Sequence, residues 1–258
     1  MSAITANGHT FFYREQGSGD VALFVHGFPL DSTMWLEQLR DLSDIRRCIA
    51  PDLRGFGWSA PSVRPVVTME DHADDLVAML DALAVDRVDL VGLSMGGYVG
   101  LAFAERHPDR LRSLALVDTK SVEDGADAKV GRIAAAERVA AEGREALAHD
   151  MLGVLVADSA SAWVRARVRT MIEATPVETI VAALEGMRLR PDRTSVLAGL
   201  EVPVGVIVGE HDVLSPVADA DHMAVSAGGP LTVVPDAGHM APIESPAAVA
   251  DALRSLWA

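Results

Sequence analysis

A chain of 258 residues, half of them hydrophobic, is long enough for one sizeable core carrying an insertion. Its 37 acidic residues outweigh 22 basic ones for a formal charge of −15, which argues against a nucleic-acid binder, because phosphates are neutralised by Lys and Arg. Cys48 is the single cysteine, which excludes an internal disulfide, and no run approaches the ~18 apolar residues of a membrane span.

The N-terminal residues show neither the basic start nor the apolar stretch of a signal peptide, so a cytoplasmic protein without membrane contact is expected. Ile4-Thr5-Ala6, a turn at Asn7-Gly8 and the β-rich Thr10 to Glu15 read as a hairpin. Val21-Ala22-Leu23-Phe24-Val25 is apolar without alternation, the mark of a strand covered on both faces. Similar strands are expected at Val88 to Val91, Leu114 to Val117, Val204 to Val208 and Leu231 to Val234. Helical patterns fall at Met69 to Leu83, Met95 to Arg106, Val217 to Val225 and Pro246 to Trp257, the last with Ser245 as expected N-cap. The alternation predicts a mostly parallel, doubly wound α/β sheet. Between Ser121 and Arg190 the pattern is helical throughout, which predicts an inserted helical cap over the C-terminal edge of the sheet. The expected division is core 1–120, cap 121–190 and core 191–258. Trp163 to Val168 alternates like a strand but fits a helix equally well.

Chemistry gathers where strands run into loops. Gly92-Leu93-Ser94-Met95-Gly96 follows a strand and precedes a helix, the setting in which a serine hydroxyl can project from a sharp turn. Small residues two positions either side are needed because strand and helix approach closely there. A serine is a weak nucleophile at neutral pH and needs a base, itself held by an anion. His239, after the strand ending at Val234, is the best candidate base, with His211 a weaker rival. Asp212, after the strand ending at Val208, is the candidate acid, with Asp118 the alternative and Glu210 a solvated carboxylate. Phe28 and Met95 are the candidate main-chain N–H donors of an oxyanion hole; Pro29 has no N–H, and His26 is read as structural.

Together, His26-Gly27-Phe28-Pro29, Asp52-Leu53-Arg54-Gly55-Phe56-Gly57-Trp58-Ser59, Gly92 to Gly97, Gly209-Glu210-His211-Asp212 and Gly238-His239 resemble the α/β-hydrolase superfamily over essentially the whole chain. Within it the chain looks like small carboxylesterases, enol-lactone hydrolases and cofactor-free haloperoxidases (perhydrolases). The resemblance implies the α/β-hydrolase fold and a Ser94, Asp212, His239 triad that cleaves small, fairly apolar esters or lactones through an acyl-enzyme, without cofactor. Perhydrolysis on the same site, or a ligand-binding receptor on the same scaffold, are the alternatives. Ser94 stands where the family's dehalogenases carry Asp, which argues against that chemistry.

In the cap, Trp163 is the candidate pocket residue among Met151, Leu152, Leu155, Met171 and Met187. Arg165, Arg167 and Arg169 read as a solvated helix face, with carrier-protein docking the alternative. No metal site is expected: HExxH, paired Cys and His clusters are absent. The expected partner is a small-molecule substrate; acyl length, alcohol, stereochemistry and oligomeric state are not encoded legibly.

Overall fold

Asn7 and Gly8 both take left-handed backbone angles (φ 47° and 73°), the two-residue turn that joins β1 (Ser2–Ala6) to β2 (His9–Gln16). The hairpin forms one edge of an eight-stranded sheet in a computed structural model that describes residues 1–60 and 64–258. The other strands are β3 (Val21–Val25), β4 (Arg47–Pro51), β5 (Val88–Leu93), β6 (Leu111–Val117), β7 (Val204–Gly209) and β8 (Leu231–Val234). Their order is β1-β2-β4-β3-β5-β6-β7-β8, antiparallel up to β4 and parallel from there on. Every residue of β3, β5 and β7 is buried, as unbroken apolar runs require when helices cover both faces.

The helices of the core are α1 (Leu36–Leu42), α2 (Met69–Ala82) and α3 (Met95–Arg106), with α8 (Thr194–Gly199), α9 (Val217–Ala227), α10 (Ala241–Glu244) and α11 (Pro246–Leu256) after the insertion. α1 packs with α11, while α2, α3, α8 and α9 form a separate contiguous set. Thr68 starts α2 with a reciprocal cap: its hydroxyl accepts the Asp71 N–H at 3.1 Å, and the Asp71 carboxylate accepts the Thr68 N–H at 2.9 Å. Ser245 does precede α11, but its side chain makes no capping bond. Its N–H is instead spent closing α10 on the Ala241 carbonyl.

Between β6 and α8 lie four helices and no strand: α4 (Ala126–Glu142), α5 (Arg144–Leu155), α6 (Ala162–Ala174) and α7 (Val177–Leu189). The alternating Trp163 to Val168 therefore belongs to a helix. Hydrogen bonds and an ion pair tie these helices to the core. Thr175 donates to the Pro29 carbonyl at 2.9 Å, Thr179 to the Gly55 carbonyl at 3.1 Å, and Arg167 to Glu37 at 2.8 Å. The arginine run is accordingly not a bare solvated face. Arg165 ends on the carbonyls of Ala157, Asp158 and Ala160, Arg167 on α1, and Arg169 on Glu173. Among the described residues no helix is long and apolar enough to cross a membrane.

Candidate active site

Ser94 sits between β5 and α3 with φ 53° and ψ −115°, a conformation that costs an L-residue of order 1–3 kcal/mol. Its neighbours explain why the turn can be so sharp. A Cβ on Gly92 would collide with the Gly96 carbonyl, and one on Gly96 with the Val25 carbonyl. The Ser94 N–H donates to Val117 O at 3.0 Å, and Thr119 Oγ1 donates to Ser94 O at 2.8 Å, so both sides of the strained residue are tied to the end of β6. Met95 opens α3, and its N–H has no acceptor within the helix. Phe28 follows β3 and lines the same cavity as Ser94.

β7 and β8 deliver the other two groups. His239 Nδ1 lies 2.8 Å from Asp212 Oδ2, both residues being buried. Burial pushes the Asp212 carboxyl up, but bonds from His239 and Ser215 hold it below the ordinary carboxylate range. Its Oδ1 accepts the N–H groups of Leu214 (2.8 Å) and Ser215 (3.1 Å). An acid whose oxygens are all engaged keeps one orientation, and with it one tautomer of the histidine: Nδ1–H toward Asp212, Nε2 free to accept a proton.

The alternatives resolve differently. Asp118 is fully buried at the end of β6, accepts the Gly209 N–H at 2.7 Å, and has no partner for Oδ2 among the described residues. Burial, with the Asp212 charge nearby, raises its carboxyl well above the ordinary range. A carboxyl shifted toward its neutral form is a poor counter-charge for an imidazolium, and no hydrogen bond joins Asp118 to His239 among the described residues. His211 is exposed and faces a separate cleft with Asp236 and Asp158. Glu210, His211 and Asp236 bring one ligand atom each within 4.8 Å of one another, but all three are exposed surface groups. His26 is structural: its Nδ1–H donates to Gly27 O at 2.9 Å and its Nε2 accepts the Leu53 N–H at 3.0 Å. Asp52 likewise organises the loops beneath the site by accepting the Ser32 N–H (2.8 Å) and the Trp58 N–H (2.9 Å).

Ser94 and His239 open together onto a cavity of about 330 Å³ between sheet and cap. Leu147, Met151, Leu155, Leu184 and Met187 give it apolar walls; Lys120, Asp124 and Arg132 add charge. Trp163, the expected pocket residue, does not line it. It is 60% exposed on α6, with the Arg167 guanidinium 5.1 Å from its ring centroid. An amphipathic helix must leave one face to solvent, and Trp163 falls there while Val164, Val168 and Met171 turn inward. Two contributors escaped the sequence reading. Ser215 donates to Asp212, and Glu244 accepts the N–H groups of Gly238 (3.1 Å), Met240 (3.2 Å) and, from the cap, Ala157 (2.8 Å). Neither carries a motif; only spacing from a known site residue could have singled them out.

A family model described as alpha/beta hydrolase fold matches residues 21–246. The chain belongs to the alpha/beta hydrolase fold family. A malate-bound thermophilic esterase from Thermogutta terrifontis is 40% identical with TM-score 0.95, covering 99% of this chain and 97% of that one. The enol-lactonase from Burkholderia xenovorans LB400 is 29% identical with TM-score 0.88, covering 99% of both chains. The 2-hydroxymuconate semialdehyde hydrolase of Pseudomonas sp. (strain CF600) is 36% identical over 135 residues, 50% of this chain and 48% of that protein. The matched stretch spans about half the length of the first curated relatives.

Proposed function

We propose that this alpha/beta hydrolase cleaves small, fairly apolar carboxylic esters or lactones, with Ser94 as nucleophile, His239 as base and Asp212 as its anchor. One observation carries the reading: Ser94 and His239 share a single cavity, and His239 holds Asp212 on the ring nitrogen that is not needed for the serine. The likeness to an esterase and an enol-lactonase over the whole chain supports it. In the division that goes with it, the core halves 1–120 and 191–258 carry the chemistry and the insertion 121–190 shapes the substrate.

The mechanism runs in two halves. As Ser94 Oγ attacks the carbonyl carbon, its proton passes to His239 Nε2, and Asp212 stabilises the imidazolium. The carbonyl electrons move onto oxygen, where the Phe28 and Met95 N–H groups receive them, each donor worth about 3–4 kcal/mol. Collapse expels the alkoxide, which takes the proton from His239, and leaves the acyl group on Ser94. Water then repeats the sequence, giving its proton to His239 and its oxygen to the acid, and Ser94 is regenerated. No cofactor enters these steps.

The test is a panel of 4-nitrophenyl esters and simple lactones of graded chain length, assayed with wild type and Ser94→Ala. The reading requires a loss of about 10³-fold or more in kcat for Ser94→Ala. Turnover that persists in that variant overturns it.

A further inference from the structure

The cavity over Ser94 holds more positive charge than its acid balances. Asp124, buried in its wall, accepts Arg190 Nη2 at 2.9 Å and pairs through its other oxygen with Arg132 Nε. One carboxylate thus serves two guanidinium groups. Burial pushes the Asp124 carboxyl up, yet Arg132, Arg190 and the nearby Lys120 ammonium together hold it below the ordinary range. Counting Asp219, which lies 3.9 Å from Lys120 at the surface, one positive charge is left over in a chain that is strongly acidic overall.

The donors on these cations are underused. Arg132 Nη1 meets the Met187 sulfur at 3.4 Å, a weak acceptor. Lys120 Nζ donates to the Leu214 carbonyl at 3.2 Å, which engages one of its three N–H bonds. Arg190 is buried, with its guanidinium 4.1 Å from the centroid of the cavity-lining Tyr98 ring, and its Nε and Nη1 lack partners among the described residues. Arg132 and Lys120 are partly buried in the cavity wall, Arg132 shares its acid with Arg190, and both keep donors without strong acceptors, an arrangement suited to an anion.

Resting on the ester- or lactone-hydrolase reading, we propose that the substrate bears a free carboxylate, remote from the scissile bond, that docks on Arg132 and Lys120. The apolar walls between these cations and Ser94 take the connecting hydrocarbon. A single carboxylate neutralises the single surplus charge and takes up idle donors on Arg132 and Lys120, and charge-assisted bonds of this kind are about twice as strong as neutral ones.

The experiment compares kcat/KM within two matched pairs. 4-Nitrophenyl hydrogen glutarate against 4-nitrophenyl pentanoate places the charge on the acyl side; 4-acetoxybenzoate against 4-acetoxybenzamide places it on the alcohol side. Wild type is expected to prefer the charged member of one pair by about tenfold, and the ratio to fall toward one in Arg132→Met and in Lys120→Met. Lys120→Met, at the cavity rim, keeps the test open if Arg132→Met destabilises the Asp124 cluster. Equal or reversed preference in both pairs overturns the proposal, as does a preference that survives both substitutions; the hydrolase reading survives either result if neutral esters still need Ser94. If no ester is turned over, calorimetric titration of Ser94→Ala decides. Binding of monomethyl glutarate but not dimethyl glutarate supports the carboxylate site, and equal binding or none overturns it.

Discussion

The hydroxyl of Ser215 donates to Asp212 Oδ2 at 2.7 Å, onto the same oxygen that faces His239 Nδ1. Ser215 Oγ also lies 3.2 Å from that nitrogen, so the serine braces the pair from the side. Ser215→Ala is expected to lower kcat/KM by about 3- to 30-fold, with Ser215→Thr restoring part of it, measured on the best ester of the panel. The pH dependence has a definite sign. A carboxyl held below its ordinary 3.8 stabilises the fold above that value and loses the contribution as pH falls through its folded pKa. Ser215→Ala, which weakens the depression, should melt below wild type at neutral pH, with the gap closing below about pH 4. A gap that widens in acid contradicts this.

Asp118 shows the opposite sign. Burial raises its folded pKa above the ordinary 3.8 of the unfolded chain, so its contribution to stability is full below that value and is lost as pH rises toward the folded pKa. Asp118→Asn keeps an oxygen for the Gly209 N–H and does not titrate. Its melting temperature should gain on wild type as pH is raised from about 4 to 7. It should also retain activity within about threefold, whereas Asp212→Asn should lose on the order of 10⁴-fold in kcat. Equal losses in the two variants would mean that the acid is shared.

Glu244 spans the loop that carries His239 and the start of the α5–α6 connection. Removing it strands three main-chain N–H groups, each costing about 1–3 kcal/mol if it stays buried. Glu244→Ala should therefore melt lower and lose kcat by about tenfold through a less ordered His239. Circular dichroism and ester kinetics on the same preparation check both parts, and unchanged kcat would remove Glu244 from the positioning of the base.

In the proposed function, substrate size is selected by the inner faces of the cap helices. Met151→Ala enlarges the cavity and should shift the preferred acyl or alcohol group by about one to three carbons, while Trp163→Ala leaves the preference where it was. A chain-length profile of the two variants tests the assignment. A shift caused by Trp163→Ala would return that residue to the pocket.

The chain-order pattern of apolar runs and helical periods was enough for the parallel sheet, for α3 with its residue limits, and for the strained turn at Ser94, because period and Gly spacing are local properties. The Asn7-Gly8 turn was legible for the same reason. Shorter elements were not: α1, α8 and β4 have too few turns or residues to develop a period, and β4 is bounded by Arg47 and Pro51. Asp212 and His239 could be named because each follows a strand. What brings them within hydrogen-bond distance is the parallel pairing of β7 with β8 across the α9 crossover, a contact in space that spacing along the chain does not specify. The inward or outward turn of Trp163, the raised pKa of Asp118, the bracing by Ser215 and Glu244, and the charge surplus at Lys120, Arg132 and Arg190 were decided by tertiary structure alone. Each depends on which side chains meet across elements, and burial and electrostatics act on distance in space, which sequence spacing does not record.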